Sequence, residues 1–215
     1  MQDKALHVLK DKTEFYLTGG TAISRFHYGH RYSDDLDFFM NHSERFASEA
    51  DKVVKLIKDG FSKVELPIYD DSFVRIFVSD EDTVLKIELV NDAQYHAGDL
   101  ISNEMYDEID NSWNILSNEL SALSRTAGKG LADVIEICRH LDFKWPDAFE
   151  EAQKKDAWVN ELGVVKLVGE ADLQELTNKV MWVNKPDSSL LKEQLETIAR
   201  DIVRGEENTL CKQSG

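Results

Sequence analysis

The 215-residue sequence predicts an α+β fold, with a mixed β-sheet and flanking helices over residues 1–112 and a helical domain over 113–215. Three observations carry this. First, "KVELPIY", "FVRIFVS" and "TVLKIELV" follow one another, separated by the acidic clusters "DDS" and "DEDT", the pattern of paired strands joined by turns. Second, the character changes after Asn91. From about Trp113 the apolar residues fall at helical spacing, with Leu131, Val134, Ile135 and Cys138 on one stripe and Leu191, Leu195, Ile198 and Ile202 on another. Third, "FYLTGGTAISRFHYGHRYSDDLDFF", Phe15 to Phe39, sets a glycine pair shortly before three aspartates.

Each element can be justified in order. Residues 3–14 mix polar and apolar positions as a short helix does, and "FYLT" reads as a strand ending at Gly19-Gly20. Thr21 to Tyr28 suits a helix that Gly29 ends, and "LDFFM" a buried strand. Ser43 opens a helix whose apolar positions are Phe46, Ala50, Val53, Val54 and Ile57, with Gly60 as its stop. In the second half Pro146 and Pro186 mark helix starts, each followed by an acid suited to a first turn. No internal repeat or low-complexity tract is visible, and the two parts join near residues 95–115.

Composition narrows the function. The formal net charge is −16, from 41 acidic and 25 basic residues, which opposes a broad nucleic-acid-binding surface or reading of a DNA groove. Residues 1–115 hold 12 basic and 23 acidic residues and 116–215 hold 13 and 18, so a polyanion would lie along the second half or approach through bound cations. No segment nears the roughly 18 apolar residues of a membrane span, and "MQDKALHVLKDK" lacks the features of a signal peptide, so a cytoplasmic protein is expected. Cys138 and Cys211 have no metal-ligand spacing, which suits a reduced compartment.

The chemistry concentrates in a few carboxylates. Asp35 and Asp37 are one residue apart in a strand, so a period of two projects both from one face while Leu36 and Phe38 take the other. Two such carboxylates suit Mg²⁺, which binds oxygen donors and commonly shares one or two carboxylates with substrate phosphates; a solvated acidic turn has the same short pattern. In "TVLKIELV" the alternation places Lys86, Glu88 and Val90 together, so Glu88 is either a third site carboxylate or a surface residue of a half-exposed strand. Gly19-Gly20-Thr21 stands at a strand-to-helix junction, where bare backbone and a helix N-terminus can receive phosphate. It lacks the lysine of a Walker loop and the third glycine of a dinucleotide fingerprint, and a tight turn would need no more. His27 and His30 have no third ligand nearby. Arg31 is set to neutralise Asp34 or Asp35, and Trp145, Trp158 and Trp182 are expected in the core or as interface anchors.

The order of glycine pair, helix, Asp-x-Asp strand and later single-carboxylate strand resembles the polymerase-β-type nucleotidyltransferase layout. More narrowly, "LTGGTAISRFHYGHRYSDDLDFF" resembles the AbiEii/AbiGii group of bacterial toxin nucleotidyltransferases, which carry Gly-Gly-Thr-Ala and Gly-His-Arg-x-Ser-x-Asp-Leu-Asp segments. The likeness continues in "ILSNELSALSRTAGKGLADVIEI" and "IARDIVRGEENTL". The resemblance implies a nucleotidyltransferase-like first domain that transfers a nucleotide from an NTP to RNA, transfer RNA included, or to a protein hydroxyl. A cognate antitoxin is the implied partner. Asp35, Asp37 and Glu88 would be catalytic and hold Mg²⁺ or Mn²⁺, while Gly19, Gly20, Thr21, Ser33, Lys129 and Asp133 would contact the substrate. Lys129 and Asp133 read equally well as a helix start and an exposed helix face. Two positions depart from the family pattern: Glu119 stands where a lysine is expected, and Gly130 where an aspartate is. A glutamate near a triphosphate adds repulsion, which keeps open a catalytically silent member that binds a nucleotide or a partner protein. A metal-dependent glycosyltransferase also uses Asp-x-Asp, but the glycine pair and the short first half oppose it.

Overall fold

The computed structural model describes residues 1–81 and 83–213, and the side chains at 124–127 and 213 lie outside that description. Asp82, within the predicted turn "DEDT", is therefore not described. The described chain forms two compact units, one of Met1–Ala22 with Ser33–Asn111, the other of Ile23–Tyr32 with Ser112–Gly215. Among the described residues no helix is long and apolar enough to cross a membrane.

The first unit is built on seven strands: β1 (Tyr16–Thr18), β2 (Asp35–Asn41), β3 (Val64–Tyr69), β4 (Phe73–Asp80), β5 (Thr83–Asp92), β6 (Ile101–Asn103) and β7 (Tyr106–Ile109). Their order is β3-β4-β5-β2-β1-β7-β6. The sheet is mixed, as expected, because β2 pairs with β5 and β1 with β7 in parallel while the other pairs are antiparallel. Strands β6 and β7 were not expected; they span three and four residues, too short for an alternation to register.

The central strands obey the period of two. Leu36, Phe38 and Met40 of β2, Val74, Ile76 and Val78 of β4, and Leu85, Ile87 and Leu89 of β5 are all buried. So are Ala5, Leu6 and Leu9 of α1 (Gln2–Leu9) and the predicted stripe of α3 (Phe46–Gly60). Fully burying one such side chain is worth roughly 1.5–3 kcal/mol. A one-residue slip of β5 would expose three apolar side chains and turn Lys86 and Glu88 inward, so the core fixes the register on which the charged face depends. Helix α1 stops at Leu9, short of the predicted residue 14, because Lys10 is extended and Asp11 takes a φ of +57°. Gly19–Ala22 forms the single turn α2.

In the second unit Ile23–Tyr28 forms a π-helical turn, closed when the N–H of Gly29, at a φ of +66°, donates to the Ser24 carbonyl. The insertion of a residue per turn is what separates this segment from the α-helix its sequence predicts. Helices α4 (Ser112–His140), α5 (Trp145–Gln153), α6 (Glu161–Gly169), α7 (Leu173–Lys179) and α8 (Ser188–Arg204) follow, with a 3-10 turn at Cys211–Gln213. Both predicted stripes are buried. Asp172 and Asp187 accept from backbone N–H groups at the starts of α7 and α8, and Gly205, at a φ of +62°, closes α8. Trp145 is buried in the core, but Trp158 is 89% exposed.

Candidate active site

Strand pairing assembles the charged face of the first unit. Across β2 and β5, Asp35 stands opposite Lys86 and Asp37 opposite Glu88, while across β4 and β5 Arg75 stands opposite Glu88. The Lys86 Nζ lies 3.1 Å from Asp35 Oδ2 and 3.1 Å from Glu88 Oε2. Arg75 donates to Glu88 Oε1 from Nε at 2.7 Å, and its Nη2 lies 2.6 Å from the same oxygen. Asp35, Asp37 and Glu88 are all half-buried.

The charges are unequally compensated. Burial works to raise the Glu88 carboxyl, but the hydrogen bonds and positive charges of Arg75 and Lys86 outweigh it and hold Glu88 below the usual carboxylate range. Asp37 is the opposite case. Burial pushes it up to about 7; the Lys86 charge opposes this, and the charges of Glu88 and Asp35 and a hydrogen bond with Glu88 add to it. Burial works to lower the Lys86 ammonium, yet its bonds to Asp35 and Glu88 raise it above the ordinary lysine value.

The glycine turn meets the same strand. Thr18 pairs with Asp37 across β1 and β2, and the next residue, Gly19, has a φ of +64°. A Cβ on Gly19 would sit 3.0 Å from Asp37 Oδ2, so backbone approaches the carboxylate where no side chain fits. Gly20 is half-exposed beside it, and the buried Thr21 hydroxyl donates to the Asp35 carbonyl, tying α2 to the start of β2. The Ser33 carbonyl accepts from Gln2 Nε2 at 2.8 Å.

The other expected substrate contacts belong to the second unit. Asp133 is buried there, its Oδ1 accepting from His30 Nε2 at 2.8 Å and Arg31 Nε at 2.6 Å, its Oδ2 from Arg31 Nη2 at 2.6 Å. Arg31, which the sequence sets against Asp34 or Asp35, thus forms a two-point pair with Asp133, and Asp133 is no exposed helix face. Lys129 is exposed on α4. Of the two departures, Glu119 is half-buried and Gly130 buried; next to Glu119 in sequence, Asn118 Oδ1 accepts from the Lys155 ammonium at 2.5 Å, as do Asn114 Oδ1 at 2.5 Å and Ser117 Oγ at 2.6 Å.

The family model for the AbiEii nucleotidyltransferase toxin of type IV toxin–antitoxin systems matches residues 5–117, more than half of the chain. The chain belongs to the AbiEii nucleotidyltransferase toxin family. Gly19, Gly20, Thr21, Ser33, Asp35, Asp37 and Glu88 lie inside the AbiEii match, whereas Glu119, Lys129, Gly130 and Asp133 lie beyond it. Two solved structures are similar to this chain in fold. One is JHP933 of Helicobacter pylori, 21% identical, with a TM-score of 0.64 over 99% of this chain and 91% of that one. The other is an H. pylori protein assigned as a nucleotidyltransferase, 20% identical, with a TM-score of 0.67 over 100% and 95%. No curated protein matches the AbiEii-family chain.

Lys86 and Arg75 are the members of this charged face that motif reading passed over. The alternation does place Lys86 on the face of Glu88, and Phe73, Arg75 and Phe77 on one face of β4. What it cannot supply is the β4-β5-β2 adjacency that brings both cations to the acids. Among the described residues no group of three or more His, Cys, Asp or Glu side chains is disposed as a formed metal centre. The donor chemistry nonetheless suits a divalent cation: the oxygens are carboxylates, and Asp37 is raised by burial and by neighbouring negative charge, a penalty that a bound cation relieves.

Proposed function

We propose that this AbiEii-family nucleotidyltransferase moves a nucleotide from an NTP to a hydroxyl of an RNA, transfer RNA included, or of a protein, with Mg²⁺ or Mn²⁺ as cofactor and a cognate antitoxin as its partner. The observation that carries this reading is the register of β2 against β5, which sets Asp37 beside Glu88 within reach of Asp35 and next to the Gly19 turn. Asp35, Asp37 and Glu88 would hold the cation, which when bound neutralises triphosphate charge and polarises the phosphorus. Gly19 and Gly20 would receive phosphate oxygens on their backbone, with Thr21 and Ser33 fixing the turn and strand around them. Lys129 and Asp133, both in the second unit, would contact the substrate.

In the reaction the acceptor oxygen bonds to the α-phosphorus, the bond to the bridging oxygen breaks, and pyrophosphate leaves with its electron pair. The acceptor proton passes to a carboxylate. Lys86 and Arg75 supply positive charge on this face.

One observation favours the silent alternative: the Lys86 ammonium already bridges Asp35 and Glu88, as a cation would. Labelled NTPs incubated with total RNA and with protein decide between the two readings. Label transferred by the wild type in Mg²⁺ and lost in Asp37→Asn supports the enzyme. Nucleotide binding without transfer to either acceptor pool supports the silent form.

A further inference from the structure

The second unit contains a cavity of about 180 Å³ whose wall is divided between polar and apolar atoms. Gln194 of α8, only 7% exposed, lines it, and among the described residues its amide has no hydrogen-bond partner. His30 is a second wall residue with an unmet need. Its Nε2 donates to the Asp133 carboxylate, and its buried Nδ1 has no partner. Buried polar groups are rarely left unbonded; His30 Nδ1 is one such group, and the Gln194 amide stands on the same cavity wall.

The remaining wall selects the ligand. Glu136 is already compensated, with Arg139 Nη1 at 2.8 Å and His140 Nε2 at 2.9 Å, so the cavity does not call for an ion. Tyr28 and Trp182 contribute aromatic surface. A cavity of roughly 150 Å³ accepts benzene, so this one has room for a somewhat larger planar ring system. The Gln194 amide presents a donor and an acceptor side by side, which pairs with a ring edge carrying the complementary couple.

We propose that this cavity binds a neutral planar nitrogen heterocycle of the nucleobase class, with its hydrogen-bonding edge on Gln194 and its ring against Tyr28 or Trp182. Its lining belongs wholly to the second unit, and the proposal does not rest on the reading given for the carboxylates of the first.

The test uses the full-length protein in EDTA, with calorimetric titration of adenine, guanine, cytosine and uracil, their nucleosides, and a mixed-sequence oligoribonucleotide. At least one base or nucleoside binds with a Kd below about 1 mM. Gln194→Leu, which keeps the volume and removes the amide, weakens it by about tenfold or more, and Leu190→Trp, which fills the cavity from an exposed rim position, abolishes it. Asp37→Asn leaves it unchanged. A nucleoside that binds as well as the oligonucleotide identifies a free small ligand; preference for the oligonucleotide, lost in the same two variants, identifies a base presented by a strand. The proposal is overturned if no probe binds, if binding survives both cavity variants, or if Asp37→Asn removes it, whatever the outcome of the transfer assay.

Discussion

Asp37→Asn, measured without divalent cations, tests the electrostatics of the carboxylate face. A carboxyl raised from ~3.9 in the unfolded chain to about 7 in the folded one binds more protons when folded. Stability therefore falls as pH rises from ~4 to ~7, and the full penalty stands above that range. The gap corresponds to at most ~4 kcal/mol; relaxation of Glu88 and Lys86 and entry of water reduce it to about 2 kcal/mol. Asparagine has nearly the same shape and carries no charge to bury, so the variant should be the more stable protein at pH 8 and the difference should shrink as pH falls to 5. For a chain of this length ~2 kcal/mol is about 4–8 °C in Tm. Thermal unfolding in EDTA at pH 5, 6, 7 and 8 provides the curve. Mg²⁺ should then raise the wild-type Tm more at pH 8 than at pH 6, because the ion must displace the Asp37 proton, and should raise the variant little. An Asp37→Asn protein that melts below the wild type at pH 8, or a difference that does not change with pH, refutes the reasoning.

Other perturbations have equally definite outcomes. Lys86→Met leaves the Asp35 carboxylate without its ammonium partner and Glu88 with Arg75 alone, costing about 1–3 kcal/mol in EDTA; melting curves in which Mg²⁺ restores part of the loss would establish that cation and ammonium compete. Gly19→Ala strains a φ of +64° and drives a methyl to 3.0 Å from Asp37 Oδ2, so chemical denaturation should register a loss of ~1–2 kcal/mol and the transfer assay a lower rate. Asp133→Leu removes the two-point carboxylate partner of the buried Arg31, with an expected cost of about 3–5 kcal/mol by urea titration; a cost near zero would mean that the pair contributes nothing net to stability.

Much of the first unit was legible because its strands are half-buried and long enough to alternate. The nine inward side chains of β2, β4 and β5 and the stripe of α3 follow from spacing alone, and so does the common face of Asp35 and Asp37. Strand order was not legible. That β5 lies between β4 and β2 is set by packing and by crossovers, which leave no periodic trace, so the alignment of Arg75, Glu88 and Asp37 across three strands could not be read. The partner of Arg31 lies 102 residues away, and the nearby aspartates at 34 and 35 are the choice that sequence distance suggests. Ile23–Tyr28 keeps an ordinary helical composition, and only its backbone bonding reveals the wider turn.

The interleaving of the two units has a practical consequence for anyone wishing to study one alone. The chain leaves the first unit after Ala22, returns at Ser33 and leaves again after Asn111. A fragment cut at residue 112 would carry Ile23–Tyr32 away from the helices that bury Arg31. Its complement would retain Asp133 as an uncompensated interior anion. Separate expression therefore calls for a circular permutation or a grafted peptide, since a single scission damages both pieces at once.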